Sequence, residues 1–97
     1  MGFRGTSKED GGYYGNRRSW PEITMKILEV TATPSNKMGI MYRSNLNFKR
    51  FSWYFKNMLK KGLIEEIIDS NGRSVYKNTK RGKTLLVTLR KAQELLF

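Results

Sequence analysis

The chain's 97 residues carry 19 Lys and Arg against 8 Asp and Glu, giving a formal net charge of +11, with no His and no Cys. That length fits one small domain, and the missing thiols and imidazoles exclude disulfides, thiolate metal sites and the commonest general base and zinc ligand, so neither metal nor cofactor is expected. No apolar run approaches the ~18–20 residues of a membrane span, and no signal-peptide core opens the chain, so the expectation is a cytoplasmic protein with no membrane partner.

Residues 1–18 are Gly-rich, polar and aperiodic, and are expected to form a disordered basic arm ahead of a domain over 19–97. The arm is either an inert tail or, through Arg17 and Arg18 beside Tyr13 and Tyr14, a segment that trails along phosphates. Order should begin at Ser19-Trp20-Pro21-Glu22, where Ser and Glu three apart make a capping box. Ile23, Ile27, Leu28 and Val30 or Thr31 then form the inner face of a first helix ending near Thr33-Pro34, with Trp20 as a staple against it.

Ser35-Asn36 can cap a short second helix over Lys37 to Arg43, with Ile40 and Met41 inward. Ser44-Asn45-Leu46 reads as a tight turn holding one buried leucine. Asn47 caps the next helix and Gly62 closes it at the position that favours a left-handed residue. Between them Phe48, Phe51, Phe55, Met58 and Leu59 make an apolar stripe, while Lys49, Arg50, Trp53, Lys56 and Lys60 make a front without one acid. Helix, turn and helix with an apolar residue in the turn is a helix-turn-helix pattern.

After Gly62 the period changes. Leu63 to Asp69 and Ser74 to Asn78 flank Asn71-Gly72, the strongest short hairpin signal. A two-residue loop would set Ser70 against Arg73, Ile68 against Val75, Ile67 against Tyr76 and Glu66 against Lys77. Thr79 caps a last helix from Lys80 to Leu96, in which Leu85, Leu89, Ala92 and Leu96 are spaced as a coiled-coil seam. Lys80, Arg81 and Lys83 stand at its positive dipole end, a conflict that a nearby anion would relieve.

The fold class is therefore mainly α with a β-hairpin: a winged helix-turn-helix plus a C-terminal helix. Three segments carry a family resemblance: Met38-Gly39-Ile40-Met41-Tyr42-Arg43-Ser44-Asn45-Leu46-Asn47-Phe48, then Leu59-Lys60-Lys61-Gly62-Leu63-Ile64, then Tyr76-Lys77-Asn78-Thr79-Lys80-Arg81-Gly82. Together they resemble the small archaeal winged-helix DNA-binding proteins, a group of transcriptional regulators and chromatin-associated proteins. The resemblance spans about residues 19 to 96. Two departures stand out. The family usually has an aliphatic residue where Asn78 stands, so the junction with the last helix should pack differently. Chromatin-type relatives have a long terminal helix in a dimeric coiled coil, whereas this chain stops at Phe97 and leaves only a short dimer contact to expect.

In the helix-turn-helix mode the second helix enters the major groove and its first turns meet the bases. That nominates Asn47, Lys49, Arg50 and Trp53 as base-facing, with Lys56 and Lys60 on flanking phosphates. A bidentate Arg50–guanine contact is worth ~1–3 kcal/mol of discrimination. Arg43 is placed for the DNA backbone, and Arg73 at the hairpin tip for an adjacent minor groove or its phosphates. Trp53 either stacks on nucleic acid or is covered by the arm or a partner subunit; Tyr42, Tyr54 and Tyr76 are assigned to packing.

A lone lysine is an ordinary solvated charge, but the pattern is more than that. Seven basic residues and no acid lie between Glu29 and Glu65, and seven more between Asp69 and Glu94; a merely soluble surface mixes signs. Leu85, Leu86 and Leu89 can cover the first helix while Leu85, Leu89, Ala92 and Leu96 form a homodimer seam. An enzyme is not expected: there is no Ser-His or Cys-His pair and no Gly-rich phosphate loop, and Glu65 and Glu66 point to opposite faces of a strand. The expected function is sequence-independent or weakly specific binding of double-stranded DNA by a nucleoid-associated regulator or chromatin protein. The rivals are a protein-interaction adapter and a structured-RNA binder.

Overall fold

The computed structural model describes residues 20–96; the expectations for the arm and for Ser19 of the capping box lie outside these residues. In chain order they form α1 (Trp20–Val30), α2 (Lys37–Ser44), α3 (Phe48–Lys60), β1 (Ile64–Ile68), β2 (Ser74–Asn78) and α4 (Lys80–Leu96). Ile23, Ile27 and Leu28 of α1, Ile40 of α2, Phe51 of α3 and Ile64 of β1 are buried to 1% exposure or less and form the centre of one core. Leu85, Leu86 and Leu89 close it from α4. The fold class read from the sequence is the one observed.

Local chemistry sets most of the boundaries. Asn36 and Asn47 cap α2 and α3, each accepting on its side chain from an amide three residues on, Gly39 at 2.7 Å and Arg50 at 2.8 Å. Asn45, at φ 56, closes α2 in the left-handed conformation that asparagine tolerates best after glycine. At the end of α3, Leu63 N donates to Met58 O and Gly62 N to Leu59 O, a Schellman closure whose apolar pair, Met58 and Leu63, is buried.

The first helix ends at Val30, short of the expected Thr33-Pro34. Its last carbonyls are already engaged: the Thr31 hydroxyl donates to Ile27 O (2.8 Å) and Leu28 O (3.2 Å). Asn78, on β2, completes the cap with its amide on Leu28 O (3.0 Å) and its backbone N–H on Thr31 O (2.9 Å). Asn78 thus makes the strand–helix junction a hydrogen-bonded clasp on α1, with its Oδ1 buried and unpartnered.

The hairpin forms, but its register is one residue from the one expected. Ile68 pairs with Ser74, Ile67 with Val75, Glu66 with Tyr76, Glu65 with Lys77 and Ile64 with Asn78. The loop has three residues, Ser70 to Gly72, closed by Asp69 N on Arg73 O at 2.9 Å. Only Gly72 has positive φ (78°), whereas the two-residue type I′ loop needs Asn71 there as well. The Asp69 carboxylate selects this alternative by accepting from Asn71 N (2.8 Å) and Arg73 N (2.9 Å). An acid–base pair survives the slip, with Glu65 replacing Glu66 opposite Lys77.

Beyond Ile64 the hairpin leaves the core, and Ile67 and Ile68 are exposed. Its base is fixed by a two-way bridge between Ser35 and Tyr76 (3.1 and 2.8 Å) and by an edge-on Phe55–Tyr76 contact with centroids 4.7 Å apart. Four apolar assignments change. Phe48 is 63% exposed and Tyr42 84% exposed, because the core ends at Phe51 and Ile40. Leu46 is half-buried against the core instead of enclosed. Trp20 belongs to α1 itself, with its side chain mostly in solvent.

Candidate nucleic-acid interface

The outer face of α3 is set by the burial of its inner face. With Phe51, Phe55 and Met58 in the core, Lys49, Trp53, Lys56 and Lys60 fall within a roughly 60° arc on the opposite side, at 100° per residue. All four are exposed. From Lys49 to Lys60 they span twelve residues, or ~16 Å of helix axis. The helix contains no acid. Arg50 stands half-buried on the flank of this arc, not at its centre.

The other nominated residues have structural partners of their own. Asn47 caps α3, its side-chain oxygen accepting from Arg50 N at 2.8 Å, which fixes its carboxamide at the start of the helix. Arg43 points its guanidinium back along the chain, with Nη2 on Ser35 Oγ (2.5 Å) and Nε near Gly39 O (3.4 Å). Arg73 is exposed at the hairpin tip, where its backbone N–H is held by Asp69. The same bonds hold the Asp69 carboxyl below its ordinary value of 3.8, the Arg73 amide contributing most.

Trp53 sits between two features. It belongs to the basic face, and with Trp20, Thr24, Tyr54 and Leu85 it also lines an open groove of about 280 Å³ between α1, α3 and α4. Its ring meets Tyr54 edge-on at 5.0 Å. Phe48 was missed as a surface residue because its helical angle falls within the apolar stripe; its place one full turn ahead of Phe51, in the first helical position, was the signal available. Among the described residues no cluster of His, Cys, Asp or Glu could hold a metal, and no helix is long and apolar enough to cross a membrane.

A capped basic helix on a buried core, preceded by a short helix and a left-handed turn and followed by a two-stranded wing, defines a winged helix-turn-helix protein. The chain belongs to the winged helix-turn-helix family, whose match runs over residues 17–97. No curated protein matches it. Among solved structures it is similar to Sso10a-2, a DNA-binding protein from Sulfolobus solfataricus, with a TM-score of 0.70 and 22% identity over 80% of this chain and 81% of that one. It is also similar to the transcriptional regulator BldR from Sulfolobus solfataricus (TM-score 0.67, 21% identity, 76% of this chain and 55% of that one). A variant of MepR from S. aureus matches at TM-score 0.66 and 16% identity, over 81% of this chain and 61% of that one. The chain thus spans little more than half of the last two proteins.

Proposed function

We propose that this protein binds double-stranded DNA through α3 and the wing, without sequence dependence or with a weak preference, and acts as a transcriptional regulator or chromatin protein of the nucleoid. The observation that carries this reading is the exposed, acid-free front of Lys49, Trp53, Lys56 and Lys60 on a helix pinned to the core by Phe51, Phe55 and Met58. Arg50 on the flank, Arg43 behind and Arg73 on the wing extend the positive surface. Such a surface neutralises phosphates and releases counterions, so affinity should fall steeply with salt. In Sso10a-2, described as a DNA-binding protein, a similar fold supports the same reading.

A homodimer is part of the proposal. Leu85 and Leu89 are half-buried against the core, while Ala92 and Leu96 continue the same stripe in solvent, Leu96 at 75% exposure. The seam is thus divided between packing at one end and a free apolar stripe at the other, where a second copy would cover it.

The test is binding to a random-sequence duplex across a salt series, with a single strand and an RNA hairpin alongside. Each phosphate contact contributes about 0.9 to the log–log slope. The triple variant Lys49→Glu, Arg50→Glu, Lys56→Glu should abolish binding without loss of helical signal. Duplex affinity that survives the triple change would remove α3 from the interface. No duplex binding at low salt would favour the adapter reading, in which the groove beside Trp20 and Trp53 receives a protein.

A further inference from the structure

Phe48 is the first residue of α3 and is 63% exposed. Its exposure does not arise from a crowded core: Leu46, two residues earlier, makes the turn's inward apolar contact, and Phe51 fills the centre. The ring is also in a setting unsuited to an apolar protein partner. Arg43 precedes it, Lys49 and Arg50 follow it directly, and no acid stands between Glu29 and Glu65. A partner covering Phe48 would have to desolvate those cations unless it were itself an anion.

Major-groove chemistry supplies an anion with an apolar spot. Recognition helices present their first residues to base edges, and the thymine C5 methyl is the apolar group on those edges, which phenylalanine is suited to meet. The Asn47 carboxamide is held at the helix start by Arg50 N at 2.8 Å, which leaves the ring of Phe48 as the turn's apolar group. Beside that ring the turn offers a lysine and an arginine that only donate.

We infer that Phe48 is a base-reading residue of α3, and that it confers a preference for thymine by packing on the C5 methyl in the major groove. This rests on the DNA reading above and adds to it a residue, a base and an atom. Burying one methyl is worth ~0.8 kcal/mol, about fourfold in affinity per thymine contacted.

The experiment compares the full chain on two mixed-sequence duplexes identical except that deoxyuridine replaces every thymidine, which deletes only the methyl. The parent protein should bind the thymidine duplex several-fold more tightly. Phe48→Ala should bind both duplexes equally, with an unchanged thermal melt because the ring is in solvent. Phe48→Leu, which keeps apolar bulk, should restore part of the difference. Equal binding of both duplexes by the parent would overturn the inference while leaving DNA binding intact. Discrimination that persists in Phe48→Ala would overturn it too. Failure to bind either duplex would instead take down the DNA reading, and this inference with it.

Discussion

Replacing Gly82 by alanine tests the packing that holds the last helix against α1 and the turn that follows α3. In a solvent-facing helix the change should stabilise by up to ~1 kcal/mol, since alanine is the better helix former. Here a Cβ would stand 2.1 Å from Leu63 O, 2.9 Å from Leu28 Cδ2 and 3.1 Å from the Leu63 carbonyl carbon. No rotamer relieves a clash with backbone, so α4 must move away by about 1 Å to restore ordinary contact. The movement strains the bonds that seat the helix: Thr79 N on Leu63 O (3.0 Å), Thr79 Oγ1 on Gly62 O (2.6 Å) and Gly82 N on Thr79 Oγ1 (3.0 Å). Overpacking costs ~1–3 kcal/mol and each lost hydrogen bond ~1 kcal/mol. After the helical gain, the net loss should be ~2–3 kcal/mol, which lowers the melting temperature by ~10–20 °C in a domain this small. Urea unfolding followed by circular dichroism would read it as a lower midpoint at constant slope. Lys83→Ala, at an exposed position of the same helix, should stay within ~0.5 kcal/mol as the control. A Gly82→Ala protein as stable as its parent, or more so, would show that α4 does not press on Leu63 and that the reasoning is wrong.

Three further outcomes follow from the same geometry. Asn78→Leu should stay within ~1 kcal/mol of the parent in urea, because it removes a buried unpartnered oxygen while Leu28 O keeps the Thr31 hydroxyl. Asn78→Asp should cost ~3 kcal/mol or more by burying a charge against that carbonyl; the reverse order of the two variants would refute the clasp. Asp69 has a lowered folded-state pKa, so its ionised form stabilises the wing tip fully above the ordinary value of 3.8, and that contribution is lost as pH falls through the lower folded value. The amide shifts of Asn71 and Arg73 should then titrate together with a midpoint under 3.8, and a midpoint at or above it would contradict the hydrogen bonds. Sedimentation should find a dimer that Leu96→Lys converts to a monomer with unchanged helicity; a monomeric parent would dismiss the seam.

The features readable along the chain lie within a few residues of their cause. Asn36, Asn47 and Thr79 cap helices by reaching amides three positions on, and Gly62 closes α3 within one turn, so composition and spacing suffice to place them. The basic front was legible for a similar reason: Phe51, Phe55 and Met58 fix which side turns inward, and Lys49, Lys56 and Lys60 must then face out. The hairpin's existence was local as well. Its register was not, because a two-residue and a three-residue loop both fit the same residues, and the three-residue loop is the one in which the Asp69 carboxylate holds Asn71 N and Arg73 N.

Tertiary structure decided whatever depended on where another element stops. Phe48 shares the helical angle of the core stripe, but nothing lies across from it, since burial needs a partner surface and the core ends one turn away. Tyr42 and Trp20 are outside for the same reason. The roles of Asn78 and Gly82 rest on contacts with Leu28 and Leu63 far away in the chain. Periodicity reports which way a side chain points along its own helix; only the docking of α1, β1 and α4 reports what it meets there.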